Sequence, residues 1–422
     1  DLEGLVQACC RTPCGIADPE RFAMPMSWTC HEINVEKVCG SGDSFVIRNN
    51  VRPSPANTER ACLRGVNLGG WLVLEKWMAP DLFAVASSAE DEWTLLSSGG
   101  AEAREAVREF RRTFITEQDI RWLKTEGGID AVRLPVGYWC LDEYAKGTPY
   151  LSTQHLVDAL FGWAERYGLK VLLDLHGMSG SQNGEHHSGQ SGKVNWLEPR
   201  HREKNLEIVR AVAARWGHQK ALLGLGLGNE VAEKEQTVMD RVASMVSCFT
   251  PEYPRSYWVE VARFYAEAAE LVEPLLHRDV LLVLDTCWDI DRWTLDKLQG
   301  VSGRIVVDYH HYQCMTDEAG SVEEHLQTEE LSKILVEQDF RPFPVILGEF
   351  SLALKPEAEG YQSQSNWPRQ FFQRQVGLAE KHTFGWFFWN YKMAREGWPH
   401  WSYRESVEKG WIEPDRFLKQ DS

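Results

Sequence analysis

The sequence lacks any long hydrophobic run. Its longest apolar stretches, such as Val280–Leu284 and Ala221–Leu227, fall far short of the roughly 18 residues that a membrane helix needs. We therefore expect no membrane span. The first residues contain no basic segment followed by an apolar one, so no signal peptide is visible, and the start at Asp1 would suit a processed mature protein.

Positive charge is also scarce. The 45 Lys and Arg residues are outnumbered by 62 Asp and Glu residues, and the formal net charge is −17. Phosphate binding needs a basic surface, so this balance argues against nucleic acid as a partner and favours a neutral or cationic ligand. Hydrophobic residues make up 43% and charged residues 25% of the chain, which is typical of a soluble globular protein. We expect a monomer.

The chain contains no Cys-x-x-Cys pair, and it has no Asn-x-Ser/Thr sequon, so N-glycosylation is not expected. Yet it holds ten cysteines, and six of them lie in its first 62 residues: Cys9, Cys10, Cys14, Cys30, Cys39 and Cys62. Such density in a segment with little hydrophobic periodicity favours disulfides over a zinc site and indicates an oxidising compartment. We therefore interpret residues 1–60 as a disulfide-stapled extension of a secreted or cell-wall protein, and residues 61–422 as its main domain.

No Gly-x-Gly-x-x-Gly turn follows the first apolar run, which argues against a dinucleotide-binding sheet. Instead, short apolar runs alternate with amphipathic stretches. The apolar runs predict eight strands buried on both faces, at Leu63–Leu68, Ala131–Val136, Lys170–Leu175, Leu222–Leu227, Val280–Leu284, Arg304–Asp308, Pro344–Leu347 and Gly385–Phe388. Helices are predicted between most of them, at Ala101–Lys124, Thr153–Tyr167, Arg202–Trp216, Tyr257–Leu276, Val322–Glu337 and Pro368–Lys381. Eight such repeats predict an α/β fold that closes into a (β/α)8 TIM barrel, with an open doubly wound sheet as the alternative.

Polar and aromatic residues follow the predicted strands at the end where a barrel of this kind carries its chemistry. They are Glu75 after the first strand, Arg133 in the second, His176 after the third, Asn229 and Glu230 after the fourth, His310 and Tyr312 after the sixth, Glu349 after the seventh and Trp389 after the eighth. Any one of them could form an ordinary buried hydrogen bond or salt bridge. So many at one rim predict an active site.

Two glutamates, Glu230 and Glu349, would face each other across this rim. Barrel dimensions allow their carboxyl groups to approach to about 5–5.5 Å, the separation of a retaining glycosidase. That chemistry needs one carboxylic acid with a raised pKa to protonate the leaving oxygen, and one carboxylate to attack the anomeric carbon. Arg133 and Tyr312 are suited to holding Glu349 charged. Asn229 is suited to binding the sugar 2-hydroxyl.

Six segments together resemble glycoside hydrolase family 5, most closely its exo-β-1,3-glucanases, over roughly residues 61–400. They are Arg64-Gly-Val-Asn-Leu-Gly-Gly-Trp-Leu-Val-Leu-Glu75, Val132-Arg-Leu-Pro-Val-Gly137, Asp174-Leu-His-Gly177, Gly228-Asn-Glu230, His310-His-Tyr-Gln313 and Gly348-Glu-Phe350. One Asn-Glu pair would be weak support. Six motifs in the right order, each at a predicted strand end, are strong support.

The resemblance implies a role for each rim residue. Glu230 would be the acid/base and Glu349 the nucleophile. Arg133, His176, Asn229, His310 and Tyr312 would surround the sugar in subsite −1, Trp389 would be its stacking platform, and Glu75 would bind a hydroxyl at the non-reducing end. The enzyme would release glucose from β-1,3-glucan without a cofactor.

Two loops depart from the pattern of the resemblance. Glu185-His186-His187 stands where the exo-glucanases usually show Phe-Asp-Asn, and Cys314-Met315 stands where a second phenylalanine is typical. These departures leave three alternatives open: a β-glucoside of another kind, such as β-1,6-glucan or a glycolipid; transfer to a sugar acceptor; and a non-catalytic carbohydrate-binding protein. His176, His186 and His187, with Glu185, could instead bind a metal, although their spacing is not that of a helical His-Glu-x-x-His site.

Overall fold

The computed structural model describes residues 62–232, 253–285, 298, 301–315, 319–328, 330–337, 340 and 343–415, and the backbone of two short strands in the N-terminal part. The chain divides into two compact units, residues 1–60 and 61–422. In the first unit, Asn34–Lys37 pairs antiparallel with Phe45–Arg48.

The proposed disulfides of the N-terminal extension lie outside the described residues, apart from Cys62. The thiol of Cys62 is free and lies 3.8 Å from the carbonyl oxygen of Thr383. Cys62 therefore forms no disulfide in the structure, contrary to its grouping with the N-terminal cysteines. A disulfide-stapled extension over residues 1–60 and a catalytic domain over residues 61–422 stay predictions.

Eight parallel strands form a closed barrel in the second unit. We label them β1 (Leu63–Asn67), β2 (Ala131–Gly137), β3 (Lys170–Gly177), β4 (Leu222–Gly226), β5 (Leu281–Asp285), β6 (Ile305–His311), β7 (Val345–Phe350) and β8 (Gly385–Phe388). Each strand pairs with the next along the chain, and β8 closes the ring against β1. The predicted (β/α)8 barrel is confirmed, and each predicted strand overlaps one of the eight.

Helices separate most of the strands. We label them α1 (Pro80–Phe83), α2 (Glu92–Ser98), α3 (Gly100–Phe114), α4 (Glu117–Thr125), α5 (Asp142–Ala145), α6 (Gln154–Tyr167), α7 (Pro199–Trp216), α8 (Tyr253–Val272), α9 (Val322–Gln327), α10 (Glu330–Glu337), α11 (Trp367–His382) and α12 (Tyr403–Glu408). Within the described residues, none of these helices has the length and apolarity needed to cross a membrane.

The helix predicted at Ala101–Lys124 is two helices. Ile115 is extended, with φ −115° and ψ 126°, and the backbone N–H of Thr116 donates to Asp119 at 2.8 Å. This capping contact provides a partner for a backbone N–H at the start of α4. The extended conformation of Ile115 ends α3. The helix predicted at Val322–Glu337 is likewise divided, into α9 and α10.

The core has two layers because the strands are covered on both faces. Inside the barrel, a cluster of buried apolar side chains includes Leu172, Val306 and Phe387. Outside it, the other faces of the strands pack against the helices in a much larger cluster. A Cβ at Gly65 would lie 2.2 Å from the ring of Phe387, so β1 accommodates that ring only because it has glycine at this position.

A buried ion pair fixes the segment between β1 and α1, which carries Glu75. Arg111 of α3 donates to Glu92 at 2.6 Å and to the carbonyl of Leu72 at 2.9 Å. Glu92 also accepts from the backbone N–H of Leu74 at 3.1 Å. The Arg111 and Glu92 side chains are only 3% and 0% exposed, so each charge depends on the other for its neutralisation.

We predict that Arg111→Met destabilises the protein by about 3–5 kcal/mol, because Glu92 is left as an unpaired buried charge. The free energy of unfolding in urea measures this loss. Arg112→Met is the matched control. Arg112 follows Arg111 in the same helix and pairs with Glu109, and the side chains of Arg112 and Glu109 are both more than half exposed. The control should unfold like the parent protein, and equal stability of the two variants would contradict the prediction.

Candidate active site

Glu230 and Glu349 meet at the C-terminal end of the barrel. Glu349 lies within β7, and Glu230 follows β4 in a turn where its own backbone is left-handed, with φ +46°. A carboxylate oxygen of each, together with a ring nitrogen of His310, lies within 4.8 Å of the other two. The two carboxylates therefore face one another across a gap of the size that a retaining glycosidase uses.

Both oxygens of Glu349 accept hydrogen bonds. Arg133 of β2 donates to Oε1 at 2.6 Å, and the hydroxyl of Tyr312 donates to Oε2 at 2.7 Å. Glu349 is 3% exposed. The two predicted partners of this carboxylate are thus in contact with it, one on each oxygen.

Arg133 is the buried cation at the centre of the site. It donates to Asn67 at 3.0 Å and to Asn229 at 2.7 Å, and it lies 3.1 Å from Asp174. Burial opposes its charge, but the surrounding carboxylates, led by Asp174 and Glu349, raise the pKa of Arg133. Arg133 therefore stays charged and orients polar side chains from four neighbouring segments.

Glu230 lies between two histidines. His310 of β6 contacts Oε1 at 2.7 Å, and His187 lies 3.4 Å from Oε2. Burial pushes the pKa of Glu230 upward, but the hydrogen bond from His310 and the electrostatic influence of His187, His310 and His176 lower it to about 2. In the free site Glu230 is therefore ionised.

His310 carries the compensating positive charge. Burial lowers its pKa, but the charges of Glu349, Asp285 and Asp308 outweigh that effect and raise it well above the usual value. Burial raises the pKa of Glu349, and the neighbouring Glu230 adds to this rise, against the opposing charges of His310 and Arg133. We expected a raised pKa on Glu230 and a charged Glu349. The free site has the reverse order, because the His310 cation lies closer to Glu230.

Trp389 and His176 form one wall of the site. Their rings are stacked, with centroids 5.8 Å apart and planes 15° from parallel, and Nδ1 of His176 is 2.8 Å from Asp174. A Cβ at Gly69 would lie 2.6 Å from the Trp389 ring, so the glycine at this position after β1 makes room for this platform. Nε2 of His176 lies 3.4 Å from the amide of Asn229.

Glu75 lies beside the histidine loop that follows β3. The indole N–H of Trp77 donates to its Oε2 at 2.8 Å, and His186 lies 3.7 Å from the same oxygen. Burial opposes the negative charge of Glu75, but His186, together with the nearby His187 and His176, lowers the pKa of this carboxyl group. The ring of Trp77 packs edge-on against Trp401, 5.1 Å away. An ionised carboxylate beside indole rings is well suited to binding sugar hydroxyls.

The structure thus brings every predicted site residue to one rim, and it adds some that the sequence reasoning did not select. Asp174 and Asp308 precede His176 and His310 by two positions, so the period-two alternation of strands could have revealed them. Gln182 donates to the carbonyls of His176 and Asn229, at 2.7 and 2.9 Å. It lies in an irregular loop, where no periodicity marks it.

His311 and Cys314 are accounted for without catalytic roles. His311 stacks against Tyr309, with ring centroids 6.3 Å apart, on the face away from the glutamates, as alternation predicts. Cys314 has a free thiol, and burial raises its pKa to about 11. Met315, where the glucanases have a phenylalanine, is 70% exposed.

Two groups of side chains within the described residues bring three possible metal-binding atoms within 4.8 Å of one another: Glu230 with His310 and Glu349, and Asp285 with Asp308 and His310. Neither contains His176, Glu185, His186 or His187, the set considered from the sequence. The positive charges of His310 and Arg133 already lie among these carboxylates.

A closed parallel barrel with two facing carboxylates at the C-terminal ends of its strands is an arrangement found in retaining glycosidases. A sequence model of the family described as "Cellulase (glycosyl hydrolase family 5)" matches residues 96–395. The chain belongs to glycosyl hydrolase family 5, and the protein is a glycoside hydrolase.

The chain is also similar to named relatives over most of its length. The chain is 28% identical over 398 residues to "Glucan 1,3-beta-glucosidase 1" of Schizosaccharomyces pombe, covering 87% of this chain and 91% of that protein. It is 30% identical over 390 residues to "Probable glucan 1,3-beta-glucosidase A" of Emericella nidulans, covering 82% and 89%. Among solved structures, a rutinosidase from Aspergillus niger superimposes with a TM-score of 0.65 at 20% identity, covering 84% of this chain and 98% of that one. This last likeness supports the fold.

We predict that Tyr312→Phe lowers kcat/KM on an aryl β-glucoside by about 10- to 100-fold, because a hydrogen bond to a charged group is worth roughly 1.5–3 kcal/mol. Steady-state kinetics measures the loss. Tyr167→Phe is the control. The hydroxyl of Tyr167 also donates to a glutamate, Glu117, at 3.0 Å, but neither residue belongs to the candidate active site. A Tyr312→Phe enzyme as active as this control would show that the contact with Glu349 is not used.

Proposed function

We propose that the protein is a retaining β-glucosidase that releases glucose from β-1,3-glucan, with Glu349 as nucleophile and Glu230 as acid/base. The observation that carries this proposal is the approach of the two carboxylates to within 4.8 Å. Such a gap leaves room for a sugar carbon between them but not for a separate attacking water, which an inverting enzyme would need.

The contacts of each carboxylate support its role. Glu349 is held on both oxygens by Arg133 and Tyr312, which orients it for attack on the anomeric carbon. Bond formation to Glu349 breaks the glycosidic bond, and Glu230 gives its proton to the departing oxygen. In the second step, Glu230 takes a proton from water, whose oxygen attacks the same carbon and releases Glu349.

His310 can supply the proton that Glu230 lacks in the free site. Its Nδ1 lies 2.7 Å from Oε1 of Glu230 and 3.6 Å from Oε2 of Glu349. It can therefore pass a proton to Glu230, which then has the charge that protonation of the leaving oxygen requires, while Arg133 and Tyr312 stay on the carboxylate of Glu349.

The substrate assignment rests on the named relatives and on Glu75. Two relatives that match most of this chain are named glucan 1,3-beta-glucosidases. The ionised Glu75, with Trp77 donating to it, would bind hydroxyls of a terminal glucose. A location outside the cell, inferred from the cysteine density of residues 1–62, belongs to this proposal as well.

A second candidate is a β-glycosidase of another linkage or a transglycosylase. The observation that favours it is the replacement of both aromatic positions expected around the leaving sugar: Glu185 is exposed, and Met315 is 70% exposed. The leaving group of this enzyme would then be bound by different chemistry from that of the exo-glucanases.

We predict that Glu349→Ala and Glu230→Ala each lower activity on laminarin-type glucan by at least about 1,000-fold, because each removes an essential step of the double displacement. Azide assigns the roles. With Glu349→Ala and an activated glucoside, azide should replace the nucleophile and give the α-glucosyl azide. With Glu230→Ala, it should attack the covalent intermediate and give the β-glucosyl azide.

Glu357→Ala, which changes an exposed glutamate, is the control and should keep full activity. If either active-site variant retained most of its activity, the assignment would be wrong. If the two azide products were exchanged, the nucleophile and the acid/base would be exchanged as well.

We predict that the enzyme releases glucose from β-1,3-glucan at least about ten-fold faster than from β-1,6- or β-1,4-glucan, since a well-matched sugar contact is worth roughly 1–3 kcal/mol. Chromatography of early products over this panel measures both linkage and exo action. Longer oligosaccharides as first products would contradict exo action. Preference for β-1,6-glucan, or glucosyl transfer in place of release, would favour the second candidate.

A further inference from the structure

The loop after β3 holds a histidine against the acid/base at a position where the glucanases usually have asparagine. A short turn at His186–Ser188 carries it. The hydroxyl of Ser181 is 2.6 Å from that of Ser188, and Ser181 also accepts from the backbone N–H of Gly184 at 2.8 Å. Ser188 is buried. These contacts fix the loop backbone, so the position of His187 is built into the fold.

His187 contacts the carboxylate oxygen that His310 leaves free. Nε2 of His187 is 3.4 Å from Oε2 of Glu230, whereas Nδ1 of His310 is 2.7 Å from Oε1. Glu230 is thus bracketed by imidazoles on both oxygens. Glu349, by contrast, has an arginine and a tyrosine.

The surroundings of His187 determine which of its nitrogens carries a proton. Burial lowers the pKa of His187, so the ring is neutral and has a single N–H. Nδ1 is buried and has no hydrogen-bond partner in the described structure. A proton there would leave an unsatisfied buried donor, whereas a proton on Nε2 lies on the nitrogen that is 3.4 Å from Oε2 of Glu230.

Other titratable groups also face His187. The ring of His176 on β3 lies 5.4 Å away, and that of His186 in the same loop lies at the same distance. Glu75, from the segment after β1, acts together with Glu230 to favour a charge on His187, while His176 and His186 oppose it. Burial has the larger effect, so the neutral donor remains.

We propose that His187 is a positioning residue for the acid/base, whose Nε2–H stabilises the carboxylate of Glu230 as it gives up its proton to the leaving group. This inference rests on the assignment of Glu230 made above. A donor to the ionised form makes Glu230 a stronger acid. The benefit grows with the basicity of the leaving oxygen, because a poor leaving group depends most on proton transfer.

The test uses three variants of the full-length enzyme. His187→Phe keeps a ring of similar size but removes the donor, and His187→Gln keeps an N–H that can reach Oε2 without the ring. His186→Gln changes the neighbouring histidine, which faces Glu75 at 3.7 Å. Each is assayed on phenyl and dinitrophenyl β-glucosides over a range of pH, and thermal unfolding is followed in parallel.

We expect His187→Phe to lower kcat/KM about ten-fold on the phenyl glucoside and less than about two-fold on the dinitrophenyl glucoside, a part of the full effect of general acid catalysis. Its high-pH limb should move upward by about one pH unit, because a more basic Glu230 makes the proton that it shares with His310 harder to remove. His187→Gln should resemble the parent enzyme in both respects. His186→Gln should leave the high-pH limb in place, whatever its effect on KM.

If the Phe and Gln variants behaved alike, His187 would have only a packing role and the proposal would be overturned. The proposal would also be overturned if His187→Phe left both the high-pH limb and the dependence of kcat/KM on the leaving group unchanged. If His187→Phe does not fold, His187→Asn replaces it, since asparagine is too short to reach Oε2. Glu230→Ala on the same two glucosides separates the hypotheses: if its loss does not depend on the leaving group, the acid/base assignment itself fails.

Discussion

The active site depends on one buried positive charge. Arg133 lies inside the barrel and can be charged there only because carboxylates surround it, with Asp174 at 3.1 Å and Glu349 at 2.6 Å. Its guanidinium also donates to Asn67 and Asn229. These partners come from β1, β3, the turn after β4 and β7, so one planar group sets the relative positions of side chains that are remote in the chain. The nucleophile is oriented by the same contacts that neutralise the arginine.

Most of the fold could be predicted from the sequence because a closed parallel barrel has unusually plain signals. Its strands are buried on both faces, so Lys170–Gly177 and Ile305–His311 are apolar runs that end in polar residues. The bounds of the helices were harder to predict. An amphipathic pattern continues across Ile115 and Thr116, and only the contact of Thr116 with Asp119 shows where one helix ends and the next begins.

The positions of the site residues could also be predicted, but their protonation could not. Strand ends show which side chains reach the rim, because parallel strands all finish there. The pKa of Glu230 depends instead on a distance of 2.7 Å to His310, 80 positions away in the chain, and no local pattern encodes that distance. Gln182 escaped selection, and His187 was considered only as a departure from the family pattern and a possible metal ligand, for a related reason: both lie in an irregular loop, where neither a helical nor a strand period applies.

The two glutamates differ most in the kind of donor that each accepts from. Arg133 keeps its proton at all relevant pH values, and burial and Glu349 together raise the pKa of Tyr312, so the donors to the nucleophile do not exchange protons during turnover. The donors to Glu230 are imidazoles: His310 is charged in the free site and can pass its proton to Glu230, whereas His187 is neutral. This division matches the chemistry. A nucleophile needs a constant environment in which to form and break a bond to carbon. An acid/base must change its charge twice in each cycle, and a neighbour that can give and take a proton makes each change less costly.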